Sequence, residues 1–149
     1  MDKNEEYMQI ALSLAEKAMK KDEVPVGAII VLDDKIIAKG YNTRQHSNDA
    51  TNHAEIIAIK KACRKIKDFR LNGAVMYVTL EPCLMCLGAI LNSRIEKVYF
   101  GAKNNKENAI DINDIAKKAE LNHVTEFIGG VREKECSDII SLYFKNKRK

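Results

Sequence analysis

Three residues with metal-binding side chains stand at the starts of two predicted helices. His53 is followed by Glu55, and the segment Pro82–Cys86 places Cys83 and Cys86 three residues apart. Residues three apart share one face of a helix, so the two thiols can point at the same place. Imidazole and thiolate are zinc ligands, and this cysteine spacing is common in zinc sites. The sequence therefore predicts a metal centre held by His53, Cys83 and Cys86, with zinc favoured over iron by ligand softness.

A carboxylate beside the predicted ligands indicates catalysis. A structural zinc binds four protein ligands, whereas a catalytic zinc binds three and leaves one position for water, whose pKa falls from about 15.7 to about 7. We expect Glu55 to accept that water's proton and deliver it to the reacting group. A lone Cys-x-x-Cys is also typical of structural zinc or redox sites, and a lone His-x-Glu is uninformative, so the prediction rests on both together.

Two further cysteines are alternatives for a fourth ligand. Cys63 lies ten residues after His53 on the same predicted helix, and Cys136 lies near the last helix. We favour a role for both as small buried hydrophobic side chains.

The elements that position these residues alternate between helix and strand. Apolar residues at three- and four-residue spacing predict a helix over 5–20, an Asp33–Asp34 turn joins the first two strands, and Pro82 suits a helix start. The predicted helices are 5–20, 53–65, 83–91, 112–119 and 132–145, and the predicted strands are 26–32, 35–38, 74–80, 97–100 and 124–128, with a loop over 41–51. This order predicts an α/β fold, a three-layer α/β/α sandwich whose mixed five-stranded sheet has helices on both faces.

Composition predicts one soluble domain over residues 1–149. Apolar residues make up 46% and charged residues 31% of the 149-residue chain, which is the balance of an ordinary globular protein. The N-terminus is acidic, and no run approaches the about 18 apolar residues of a membrane span, so we expect a cytoplasmic protein without a membrane partner. The net charge of +4 permits a polyanionic partner.

Short blocks of the sequence carry a resemblance to a known family. A His-x-Glu followed by Pro-Cys-x-x-Cys is the signature of zinc deaminases. With the other blocks, the chain resembles the bacterial tRNA-specific adenosine deaminases of the cytidine/deoxycytidylate deaminase superfamily over almost its full length. The blocks are residues 24–28, 51–55, 77–86, 93–95, 100–102, 121–123 and 143–145.

The resemblance implies a reaction, a cofactor and partners. The reaction would convert adenosine to inosine at the wobble position of a tRNA anticodon, with one Zn²⁺ per chain, Glu55 as the catalytic proton carrier and a cytidine deaminase-like fold. The partners would be a tRNA anticodon stem-loop and a second copy of the chain in a homodimer. The implied substrate-binding residues are Asn42, Val26, Ala54, Pro82, Phe144 and Lys145. From the residues alone, Asn42 also fits a turn asparagine at a strand end.

Departures from the family pattern leave the substrate open. Residues 103–111 lack the glycine and serine that the family shows near its substrate, and Asn52 stands where alanine is common. One alternative is a deaminase of a free base or nucleoside, such as guanine or cytidine. Another is a non-catalytic zinc-stabilised RNA binder or inactive partner subunit, against which Glu55 argues.

Other polar and aromatic residues have two interpretations each. Each of them either contacts RNA or has an ordinary structural or solvent-exposed position. These residues are His46, His123, Tyr143, Phe144 and the basic chain end Lys145, Lys147, Arg148 and Lys149.

Overall fold

A mixed sheet forms the centre of the molecule in the computed structural model, which describes residues 2–104, 111–118 and 123–147. Its strands are β1 (Gly27–Leu32), β2 (Lys35–Tyr41), β3 (Val75–Leu80), β4 (Lys97–Ala102) and β5 (Glu126–Ile128). Their order across the sheet is β2-β1-β3-β4-β5. Strand β1 pairs antiparallel with β2 and β3, whereas β3, β4 and β5 are parallel. The prediction of a mixed five-stranded sheet is confirmed.

Helices cover both faces of this sheet. They are α1 (Lys3–Lys20), α2 (Arg44–Ser47), α3 (Ala54–Ile66), α4 (Leu84–Asn92), α5 (Ile112–Lys118) and α6 (Glu133–Lys147). Buried side chains of α1 and α6 form one apolar core with β1 and β3, and those of α3, α4 and α5 form a second core on the other face. The predicted three-layer α/β/α sandwich is therefore also confirmed.

The hairpin β1–β2 turns at Asp33 and Asp34, as predicted. Both residues have positive φ, 51° and 62°, as a two-residue hairpin turn that matches the strand twist requires. Strand β2 continues to Tyr41, three residues beyond the predicted end at Ala38. The extension follows from pairing with β1, in which Gly40 lies opposite Ala28 and Tyr41 opposite Gly27. A Cβ at Gly40 would lie 2.5 Å from the Ala54 oxygen of α3, so glycine is what lets the helix pack this closely.

Gly27 makes the equivalent close contact on the opposite face of the sheet. A Cβ at this position would overlap the Ala11 oxygen of α1 and lie 2.8 Å from the Ala15 nitrogen. We expect Gly27→Ala to lower the free energy of unfolding by about 3 kcal/mol, because helix backbone atoms cannot move aside as a side chain does. Urea denaturation measures the change.

Gly88 supplies the matched control for this prediction. It lies within α4, and a Cβ there would have no atom within 4 Å. We expect Gly88→Ala to raise stability by about 0.5–1 kcal/mol through helix propensity. Equal stability of the two variants would show that α1 can shift away from β1 without cost.

No helix in the described ranges is both long and apolar enough to cross a membrane. The assignment of residues 1–149 to a single domain stays a prediction.

Candidate active site

His53, Cys83 and Cys86 meet between the N-terminal ends of two neighbouring helices. His53 precedes α3 and Cys83 precedes α4, both with extended backbone, so their side chains project beyond the helix ends. The His53 Nδ1 atom lies 3.6 Å from the Cys83 Sγ and 3.5 Å from the Cys86 Sγ. A tetrahedral zinc, with its usual bonds to nitrogen and sulfur, would separate those atoms by roughly 3.6 Å. The three ligand atoms thus fit a zinc ion.

The two thiols interact strongly with each other. The hydrogen bond from Cys86 lowers the pKa of Cys83 to about 5, and the same hydrogen bond together with burial raises the pKa of Cys86. Because a metal binds cysteine as thiolate, zinc binding would release any proton that the two sulfurs carry.

Glu55 is the second residue of α3 and lies beside the ligand cluster. Its side chain is buried, with 4% exposure, although it lines the cavity described below. Burial raises the pKa of Glu55 to about 7, and the nearby Cys83 adds to the rise. A carboxyl group with a pKa near neutrality can both accept and give up a proton, which is what a proton carrier requires.

A cavity of about 480 Å³ opens next to these residues. It lies where β3 and β4, two parallel strands, reach their carboxyl ends, the usual position of a binding site in an α/β sheet. His53, Glu55 and Cys83 are among its lining residues. The remaining lining residues are Val24, Val26, Asn42, Arg44, Leu80, Glu81, Ala102, Lys103, Asn104, Ser137, Ile140, Ser141 and Phe144.

The predicted substrate-binding residues divide into two groups. Val26, Asn42 and Phe144 line the cavity, whereas Ala54, Pro82 and Lys145 are not among its lining residues. Ala54 and Pro82 are buried next to the ligands, and Lys145 is exposed on α6 beside Phe144.

Asn42 has one fixed and one unused polar atom. Its Oδ1 accepts a hydrogen bond of 2.8 Å from the backbone N–H of Ala54. The side chain is 6% exposed, and the hydrogen bond to Ala54 is the only one that it makes with the parts of the chain that the structure describes, so its Nδ2 is unused. The amide is therefore held in place with a donor left for another partner.

Comparison with known proteins identifies the family. The family described as "Cytidine and deoxycytidylate deaminase zinc-binding region" matches residues 1–102. The tRNA-specific adenosine deaminase of Bacillus subtilis (strain 168) is 41% identical over 150 aligned residues, which cover 100% of this chain and 93% of that protein. The chain belongs to the tRNA-specific adenosine deaminases of this family. The zinc predicted from the ligand types is thus supported by both the family and the geometry of His53, Cys83 and Cys86.

Solved structures agree with this assignment. One comes from a study of A-to-I editing by tRNA:A34 deaminases at the wobble position of transfer RNA. It is 40% identical, has a TM-score of 0.83 and covers 90% of this deaminase and 98% of its own chain. A guanine deaminase from Nitrosomonas europaea has a TM-score of 0.82 over 93% of this chain and 83% of its own, at 19% identity, which shows a shared fold alone.

Several cavity residues of this deaminase were not predicted from the sequence. Ser137 and Ser141 share a helical spacing with the predicted Phe144, so one edge of α6 lines the cavity. Glu81 and Asn104 follow the ends of β3 and β4, and the Glu81 Oε1 accepts a hydrogen bond of 3.2 Å from the Asn104 N–H. The spacing along α6 was a usable signal, but the strand-end residues required knowledge of the strand order.

Helix α2 was wrongly predicted as part of a loop over 41–51. It is only four residues long, and its N-terminus is capped from a distant segment. The buried Glu23 carboxylate accepts hydrogen bonds from the backbone N–H groups of Gln45 and His46, at 3.1 and 2.8 Å, and pairs with the His46 ring at 2.7 Å. No local periodicity indicates a helix whose cap comes from the end of α1.

The turn that carries Glu23 also contacts α6. The Lys147 ammonium pairs with the Asp22 carboxylate at 2.6 Å, and the Tyr143 hydroxyl donates to the Asp22 carbonyl oxygen at 3.4 Å. Two walls of the deaminase cavity, the α2 segment and α6, are thus attached to one turn.

The remaining candidate residues occupy structural positions. Cys136 is fully buried on the inner face of α6, and the Cys63 thiol donates to the Phe69 carbonyl oxygen, so neither joins the ligand cluster. His123 contacts the Ile95 oxygen at 2.8 Å, and Tyr143 is buried. The parts of the departing segment at 105–110, the block at 121–122 and the chain end at 148–149 lie outside the described residues.

Proposed function

We propose that this chain is the enzyme that hydrolytically deaminates adenosine to inosine at the wobble position of a tRNA anticodon. The arrangement of His53, Cys83 and Cys86 around one point, with the buried Glu55 beside it in an open cavity, carries the proposal. The relatives named for tRNA and adenosine support the choice of substrate.

Glu55 would carry protons through the reaction. Bound by His53, Cys83 and Cys86, zinc would lower the pKa of a water and supply the nucleophile at neutral pH. Glu55 would accept a proton from the attacking water and deliver it to the ring nitrogen next to C6. It would then pass the second water proton to the amino group as the C6–N bond breaks. Water and adenosine are thereby converted to inosine and ammonia, and the carboxylate is restored.

The cavity walls would hold the flipped base against this proton carrier. Val26 and Phe144 offer apolar surface to the ring, and the free Asn42 Nδ2 can donate to an acceptor on the base. We propose that Ala54 and Pro82 shape the wall through their backbone, and that Lys145 contacts a phosphate at the rim.

Asn42 can be tested with a pair of variants. Asn42→Asp keeps the acceptor for the Ala54 N–H but replaces the donor that faces the base. We expect kcat/KM to fall by roughly 10–100-fold, because an unpaired polar contact costs about 1–3 kcal/mol. Zinc content should remain that of the unsubstituted protein.

Asn42→Ala removes both polar atoms and separates the two roles. It should lose activity as well, and also stability, by about 1–3 kcal/mol, because the buried Ala54 N–H loses its acceptor. An Asp variant with full activity would show that Asn42 only supports α3.

The substrate is tested by incubating the zinc-loaded protein with an adenosine-wobble anticodon stem-loop and, separately, with adenosine, cytidine and guanine. Inosine and ammonia should appear with the stem-loop alone. Turnover of a free base or nucleoside would instead assign the chain to small-molecule deaminases that share its fold. RNA and metal binding without ammonia release would indicate a non-catalytic module.

We also propose that the chain acts as a homodimer. Leu84 and Met85, at the start of α4, are 57% and 37% exposed beside the ligand cluster, and exposed apolar pairs of this kind favour an interface. Light scattering coupled to gel filtration should give twice the 16.8 kDa chain mass.

The cytoplasm is the proposed site of action. All four cysteines are free thiols, which is typical of reducing compartments, and the proposed tRNA substrate is found there.

A further inference from the structure

The outer surface of α3 and the residues after it carry a concentration of positive charge. Six cationic residues and one acidic residue fall within 60–70, whereas the whole chain has a net charge of only +4, so the rest of the chain is slightly acidic. All six cationic side chains are exposed. We call them, with Phe69, the α3 basic surface: Lys60, Lys61, Arg64, Lys65, Lys67 and Arg70.

Most of this charge has no neutralising partner. Arg64, Lys65 and Lys67 form no ion pair with any carboxylate in residues 2–104, 111–118 and 123–147. Arg70 has an ion pair of 3.5 Å with Asp68, the single acidic residue of the segment. Like charges this close repel one another, so a polyanion bound here would relieve the repulsion.

An exposed aromatic ring lies within this charged surface. Phe69 is 57% exposed, and the Arg70 guanidinium carbon lies 4.6 Å from the centre of its ring. The two residues border a shallow hollow together with Cys63, Arg64, Lys67 and Asp68. Cations for phosphates next to an aromatic face for a base are the combination that nucleic-acid surfaces use. An acidic protein partner would pair with the cations but would offer no base to stack on the Phe69 ring.

The α3 basic surface is separate from the cavity but connected to it by one helix. Helix α3 begins at Ala54, next to the proposed ligand His53, and Arg64 lies ten residues further along. At the rise of an α-helix this is about 15 Å. An RNA with one base in the cavity could therefore reach the surface with nucleotides that do not enter the cavity.

We propose that the α3 basic surface is a second contact for tRNA, which binds backbone phosphates away from the deaminated nucleotide. The proposal rests on the proposed function for the identity of the RNA. It assigns binding, and not chemistry, to these residues.

A triple variant, Arg64→Gln, Lys67→Gln and Arg70→Gln, tests the surface. Full-length tRNA with an adenosine at the wobble position is titrated by fluorescence anisotropy between 50 and 200 mM salt. We expect Kd to rise about tenfold or more, and the slope of log K against log salt to become shallower by roughly 2–3, because up to three phosphate contacts are lost. Turnover at saturating tRNA should be unchanged.

A control variant removes the same charge elsewhere: Lys3→Gln, Lys118→Gln and Lys134→Gln. These lysines are exposed and pair with Asp34, Asp114 and Asp138. Its Kd should change less than about threefold and its salt slope should be retained. Equal effects of the two triple variants, or no effect of the first, would overturn the proposal. If the unsubstituted protein forms no inosine from the tRNA, the proposed function is refuted. The binding titrations of the two triple variants would still test the α3 basic surface, with tRNA as the probe.

Discussion

Glu55→Gln is expected to bind zinc and fold normally but to lose about 10⁴-fold in kcat. The amide has nearly the same shape as the carboxylate and leaves His53, Cys83 and Cys86 in place. It cannot accept a proton from water or return one to the ring nitrogen and the leaving amino group. General acid–base groups contribute about 10²–10⁴-fold, and one residue that serves several transfers should lie at the upper end. Inosine formation from an anticodon stem-loop measures the loss, and metal analysis confirms the zinc content.

Glu81→Gln is the matched control for this loss. Glu81 also lines the cavity, but its carboxylate accepts a hydrogen bond from the Asn104 backbone, which an amide oxygen can equally accept. We expect less than a tenfold change in kcat, since one neutral hydrogen bond replaces a charge-assisted one. A Glu55→Gln variant that retains activity would require another proton carrier. An equal loss in both variants would indicate that turnover depends on the negative charge of the cavity and not on proton transfer by Glu55.

Cys86→Ser is expected to abolish both zinc binding and activity. The residue is fully buried, and its sulfur lies 3.5 Å from the His53 Nδ1. A serine hydroxyl is a poor zinc ligand at neutral pH, so only two of the three proposed ligands would remain. The purified variant should contain far less than one zinc per chain, and added zinc should not restore turnover.

Cys136→Ser separates the metal effect from the effect of altering a buried cysteine. Cys136 is also fully buried, but it lies on the inner face of α6, outside the ligand cluster. We expect this variant to keep its zinc and its kcat, with a loss of stability of about 1–2 kcal/mol from placing a hydroxyl in an apolar core. Full zinc content in Cys86→Ser would contradict the ligand set.

The parts of the site that depend on local chemistry could be predicted from the sequence. A histidine and two cysteines carry their ligand chemistry wherever they lie, and the helix starts at His53 and Cys83 followed from apolar periodicity and from Pro82. The same patterns predicted the alternation of helices and strands, and hence the three layers. Each of these signals is contained within one element of the chain.

The parts that depend on contacts between distant segments could not be predicted. Helix α2 is capped by Glu23, and β2 extends past Ala38 through its pairing with the start of β1. The sequence suggested a base contact for Asn42 but gave no sign of its hydrogen bond to Ala54. Such features become visible only when residues far apart in the sequence are placed together.

The double attachment of the turn at Asp22 and Glu23 has a consequence for protein engineering. Transfer of the α2 segment into a relative would leave its helix uncapped unless Glu23 came with it. An exchange of that turn would in turn remove the Asp22 carboxylate that pairs with Lys147. The turn, the α2 segment and α6 are therefore structurally coupled. Chimaeras designed to alter the substrate range should transfer all three together.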